Sequence, residues 1–108
     1  MTYYNIVAAS PSIQKMVRQD LPLFVSYKLY KMINHLNEEI AFYQNKVEEL
    51  QSKYNGANSQ EYLDEYNALI NLEVDWDEKP IDVNINLGIN ISAADVSALE
   101  PFINFVDE

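Results

Sequence analysis

Through the middle of the chain, apolar residues recur at Leu29, Ile33, Leu36, Ile40, Tyr43, Val47, Leu50 and Tyr54, in steps that alternate between four residues and three. A seven-residue repeat held for about three and a half heptads places all eight side chains on one narrow stripe of a helix, a geometry suited to packing against another helix. Asn37, Glu38, Asn45, Glu48 and Gln51 fall on the opposite face, and Glu49 precedes Lys53 by four residues as a supporting ion pair. Pro22 suits the first helical position, where a missing N–H costs nothing, and Asn55-Gly56 supplies a left-handed stop. The predicted helix over 22–54 is about 50 Å long at a rise of 1.5 Å per residue.

Shorter patterns flank it. Thr2 to Val7 is rich in aromatic and β-branched residues and predicts a strand over 2–8. Ser10-Pro11 then reads as the cap and first turn of a short helix over 11–20 with Ile13, Met16 and Val17 on one face; Pro22 disfavours helical geometry at Leu21 and ends it. After a tight connection at Ala57-Asn58-Ser59, Ser59 caps a helix over 60–72 with Tyr62, Leu63, Tyr66, Leu69 and Ile70 on one face. So short a connection predicts antiparallel neighbours. This helix covers only about 20 Å of the stripe, which leaves Leu29 to Leu36 for the N-terminal helix, the C-terminal segment or a second copy of the chain.

Beyond Leu72 the period changes to two. Val74 and Trp76 alternate with Asp75 and Asp77, and Ile81, Val83, Ile85 and Leu87 alternate with Asp82, Asn84 and Asn86. Strands are expected within 73–87, the 81–87 segment half-buried and 73–77 pairing with it or with the N-terminal strand. Ser92-Ala93-Ala94-Asp95 is a variant capping box that opens a helix over 93–99, and after Pro101 the apolar tail Phe102, Ile103, Phe105 and Val106 is expected to dock on the core. The patterning thus predicts a helix-dominated α+β fold in one domain over 1–108: a long antiparallel helical hairpin with short flanking helices and a small β-sheet.

Composition narrows the function. A chain of 108 residues that is 48% hydrophobic can build one modest core. It has no cysteine, so disulfides and thiolate metal sites are excluded, which fits a reducing compartment. No stretch approaches the ~18 apolar residues of a membrane span, and the opening MTYYNIVAASPS lacks a signal-type basic and apolar run, so a soluble cytoplasmic protein with no membrane partner is expected. Residues 1–36 carry a net charge of +3 and residues 37–108 a net −13, which together give the overall −10. The acidic part would repel phosphate backbones and argues against direct nucleic-acid binding.

Candidate chemistry is sparse. His35 is the only histidine, and neither of the two glycines sits in a phosphate-cradling pattern. Glu73, Asp75, Asp77, Glu78 and Asp82 form the densest acidic face, but Lys79-Pro80 follows where a calcium loop needs further oxygen ligands and a glycine, so a solvated strand face is expected and no cofactor or metal is assigned. Tyr43 and Tyr54 lie on the stripe and are expected in the core. Tyr27, Tyr30 and Phe42 lie off it, as a second core face or an exposed contact surface.

The lead-in helix, Leu21-Pro22 opening a long helix with Ser26-Tyr27-Lys28-Leu29, the acidic middle, and the closing run from Ile91-Ser92 to Phe102-Ile103 together make the chain resemble a family of small tailed-bacteriophage proteins. The resemblance spans most of the chain and implies a viral accessory protein acting in the cytoplasm of the host bacterium or on the virion; it brings no catalytic residues. The leading expectation is a non-catalytic protein that binds a viral or bacterial protein, or a copy of itself, through Tyr27, Leu29, Tyr30, Ile33, Leu36 and Phe42. A second reading has the acidic face imitating nucleic acid to inhibit a host defence or nucleic-acid-binding protein, and a remote third is a carboxylate-based enzyme.

Overall fold

A single uninterrupted helix carries the heptad stripe. In the computed structural model, which describes residues 1–56 and 58–107, the elements are α1 (Tyr3–Val17), α2 (Leu23–Lys53), α3 (Gln60–Ile70), β1 (Ile81–Asn84), a 3-10 turn at Ile85–Leu87, α4 (Ala93–Leu99) and β2 (Ile103–Val106). The fold is α+β and helix-dominated, with extents of 50 × 24 × 21 Å; α2 alone accounts for the long dimension, since its 31 residues rise about 46 Å. Among the described residues no helix is long and apolar enough to cross a membrane.

Pro22 stands at the N-cap of α2. At the other end the left-handed residue is Asn55, φ 53°, followed by Gly56 at φ 113°. The Gly56 amide donates to the Gln51 carbonyl at 2.9 Å, the longer bond of a Schellman-type stop. The Ala57 end of the connection expected at 57–59 lies outside the described residues. Ser59 caps α3, its hydroxyl accepting from the Tyr62 amide at 3.1 Å. Leu63, expected on the inner face of α3, is 43% exposed, whereas Tyr62 is buried.

The N-terminal strand expected over 2–8 is helical instead. Tyr3, Ile6, Ala9, Ile13 and Met16 fall at helical spacing and are all at most 5% exposed. Strand propensity spans only about 1 kcal/mol. Burying one Ile or Met side chain is worth about 1.5–3 kcal/mol, so the helical face prevails. The same burial carries α1 through Pro11, placed by the sequence at a helix start, although the ring removes a backbone donor in mid-helix. All that remains of the expected N-terminal pairing is one antiparallel bridge, Thr2 to Glu73.

The strand expected over 81–87 is cut to β1 by the 3-10 turn, which Gly88 closes at φ 75°. Its partner is the C-terminal tail: β2 pairs with β1 in parallel, Ile81 opposite Ile103 and Val83 opposite Phe105. Parallel strands need a crossover, and residues 85–102 with α4 provide it. α4 begins as the sequence predicts, Ser92 and Asp95 exchanging hydrogen bonds at 3.0 and 3.1 Å. Asp95 is itself buried. Its carboxylate accepts from the Ser12 hydroxyl at 2.7 Å and the Lys15 ammonium at 2.9 Å, which ties α4 to α1. The Ser12 bond first, then the Lys15 bond, hold its carboxyl well below the usual carboxylate range.

Leu29, Met32 and Leu36 join one core with Ile6, Ile13 and Met16 of α1, Ile81 and Val83 of β1, and Leu99 and Phe102 of the C-terminal segment. The part of the stripe that α3 cannot reach is therefore covered by α1 and β1 of the same chain.

Candidate interaction surface

With the stripe turned inward, the opposite face of the first half of α2 points outward. Leu23, Tyr27, Tyr30 and Lys31, at i, i+4, i+7 and i+8, share one side of the helix. Phe24 and Lys28 continue it on the flank. Leu23 is 85% exposed, Phe24 68%, Tyr30 61% and Tyr27 54%. Four large side chains of this kind lying side by side exceed the scattered surface leucine of an ordinary monomer.

The six residues singled out from the sequence do not form one surface. Tyr27 and Tyr30 face outward. Leu29 and Leu36 are buried and hold the fold together, so these two are corrected out of the partner-binding set, whereas Ile33 is half-buried, packing on the core at the edge of a groove beside Tyr30. Phe42 lies at the edge, with its ring stacked on Tyr3 at 5.8 Å between centroids. That contact opens an aromatic row in which Tyr3 meets Tyr43 at 6.1 Å, Tyr43 meets Tyr66 at 6.4 Å, and Tyr66 meets Tyr62 at 6.1 Å. Burial, and then donation to Glu39 at 2.7 Å, push the Tyr3 phenol up to about 12. The row is structural. Sequence reasoning missed Leu23 and Phe24 as surface residues, although both stand opposite Leu29 and Leu36 on a 3.6-residue wheel, and that wheel was signal enough to find them.

The acidic face is dispersed. Glu73 lies 2.9 Å from the Met1 amino nitrogen, Asp82 accepts from the Asn104 side chain at 3.0 Å, and Glu78 meets His35 at 2.7 Å. The His35 ring stacks on Trp76 at 4.4 Å, and Trp76 lies edge-on to Phe102. Val74 is buried between exposed Glu73 and Asp75, so the period-two pattern serves to bury one side of the segment. Asp75 and Asp77 are left as the solvated members.

Positive charge is distributed in the opposite way. Residues 21–37 contain no acid, in a chain with seventeen. Lys15, Lys46 and Lys53 form ion pairs with Asp95, Glu49 and Glu65. Among the described residues Arg18, Lys28, Lys31 and Lys79 have no such partner. Lys28 and Lys31 lie instead over the rings of Phe24 and Tyr27, at 4.4 and 5.3 Å from the centroids. Two grooves of about 310 Å³ flank the helix here. One runs between α2 and the extended 78–81 segment and is lined by Tyr27, Lys28, Lys31 and Lys79; the other lies between the end of α1 and Leu29, Tyr30 and Ile33.

Compared with protein-family models, curated proteins and solved structures, the chain matches none.

Proposed function

We propose that this is a non-catalytic interaction protein, of the small accessory kind found in tailed phages, which binds a protein partner in the host bacterium or on the virion through the outward face of the first half of α2. The observation that carries this reading is the group Leu23, Phe24, Tyr27 and Tyr30, exposed together on a rigid helix whose other side is locked into the core. Aromatic anchors on a fixed scaffold are what binding hot spots are made of, because they bury much area at little cost in side-chain entropy. The phage setting rests on the resemblance of the Leu21-Pro22 opening, the acidic middle and the Ser92–Asp95 closing helix.

Affinity capture from phage-infected bacteria, with the wild-type chain and with a Leu23→Ser/Phe24→Ser/Tyr30→Ser variant, tests the reading. The expected result is a partner retained by the wild type and by Lys46→Glu at the far end of α2, and lost by the triple variant. Equal retention by all three proteins would move the interface elsewhere on the molecule.

A further inference from the structure

We propose that the groove beside Tyr27 is the subsite for an acidic peptide segment of the partner, its carboxylates held by Lys28, Lys31 and Lys79 and its apolar residues by Tyr27 and the neighbouring Leu23–Phe24 surface. The inference rests on the interaction face described above and adds the chemistry of what docks there.

Three of the four cations without an ion-pair partner among the described residues converge on this one groove, two from successive turns of α2 and one from the segment before β1. In a chain where acids outnumber bases 17 to 7, chance pairing would have neutralised them first. Among the described residues the only acid lining the groove is Glu78, and its carboxylate is already engaged by His35 at 2.7 Å. Interactions between exposed charges decay over about 8 Å at physiological ionic strength, and residues 21–37, which supply Lys28 and Lys31, carry no acid.

Shape and composition select among anionic partners. The groove is concave, bounded on one side by α2 and on the other by Lys79-Pro80, so an extended chain can lie in it whereas a bilayer surface cannot enter. A nucleic-acid backbone draws its affinity from phosphates neutralised along a longer track than the three lysines of this groove provide. An acidic peptide needs only a few cations and also supplies apolar side chains. Leu23, Phe24 and Tyr27 offer such side chains a continuous surface next to the lysines. The Lys28 and Lys31 ammonium nitrogens rest over the Phe24 and Tyr27 rings, which restricts the two side chains before binding and lowers the entropy lost when a carboxylate docks beside them.

The test uses the full-length protein and fluorescence anisotropy of a labelled short peptide rich in Asp and Glu with one Leu and one Phe. Its competitors are the same peptide with Asn and Gln in place of the acids, a single-stranded DNA of equal charge, and phosphatidylglycerol vesicles. The acidic peptide is expected to bind with an affinity that falls as salt rises, and the amide peptide at least about tenfold more weakly. Lys28→Glu/Lys31→Glu is expected to weaken the acidic peptide by about tenfold or more, equivalent to about 1.4 kcal/mol, and Lys79→Glu, on a different element, to weaken it separately. Lys46→Glu should leave it unchanged, and far-ultraviolet circular dichroism should match for all variants because Lys28, Lys31 and Lys79 are exposed and the Lys46 side chain is about half exposed. Equal affinity for the acidic and amide peptides overturns the proposal. So do indifference to both lysine variants, tighter binding of DNA or vesicles than of peptide, and failure of the acidic peptide to bind up to millimolar concentration. Partner capture separates the two claims: lysine variants that still retain a partner lost by the Leu23/Phe24/Tyr30 variant refute the acidic-segment subsite and leave the interaction face standing.

Discussion

Replacing Leu36 with alanine distinguishes a stripe covered by its own chain from a stripe kept for a partner. Leu36 is 2% exposed, at the middle of α2, in the same core as Ile6, Met16, Val83 and Phe102. Truncation removes three buried carbons and leaves a cavity that a helix locked on several sides cannot close, so the expected loss is about 2–5 kcal/mol. A domain of this size is held by about 5–15 kcal/mol, which makes the change a large share of the total. In urea, with a slope of about 1–3 kcal/mol/M, a loss near 3 kcal/mol lowers the midpoint by about 1–3 M. Trp76, the single tryptophan, reports the transition: it stacks on His35 and meets Phe102 edge-on, and both contacts vanish on unfolding. Phe24→Ala is the matched control. It removes a larger side chain from the same helix, but one that is 68% exposed, and should move stability by no more than about 0.5 kcal/mol. A loss below about 1 kcal/mol for Leu36→Ala, or a wild-type midpoint that rises with protein concentration, would refute internal coverage of the stripe.

Pro11→Ala should stabilise the protein, by up to about 3 kcal/mol, because Pro11 stands inside α1 and alanine restores a helical donor; a neutral or destabilising result in thermal denaturation would point back to a helix that begins at Pro11. Asp95 sets a pH dependence. Its carboxyl titrates lower in the folded chain than in the unfolded one, where the value is about 3.9, so its contribution is complete at neutral pH and is lost as pH falls below about 4. Asp95→Asn and Ser12→Ala should each lower the thermal midpoint at pH 7 and flatten its further fall toward pH 3; an acid limb identical to that of the wild type would show that the Ser12–Asp95–Lys15 contact is not what titrates.

The helix-dominated α+β class, the whole span of α2, the Ser59 and Ser92 caps and the docking of Phe102 and Ile103 were legible along the chain, because each rests on local signals: a period, a capping side chain, a proline or a glycine. Part of the proposed interaction surface was legible too. Tyr27 and Tyr30 are off the stripe by simple spacing, and the lack of acids from 21 to 37 can be read directly. Other features depended on what each segment meets in space. Residues 2–8 have a strand's composition, yet Ile6 and Met16 can be buried together only if Tyr3 to Val17 forms one helix, and that face exists only against α2 and α4. Leu29 and Leu36 look identical to an interface stripe until α1 and β1 are seen to cover them. Strand β2 could not be assigned from a four-residue apolar tail, because a parallel partner is specified by a crossover and not by its own pattern. The gathering of Lys28, Lys31 and Lys79 in one groove is likewise a tertiary fact: Lys79 lies 48 positions beyond Lys31 in the sequence, and only the path of the 73–81 segment along α2 brings them together.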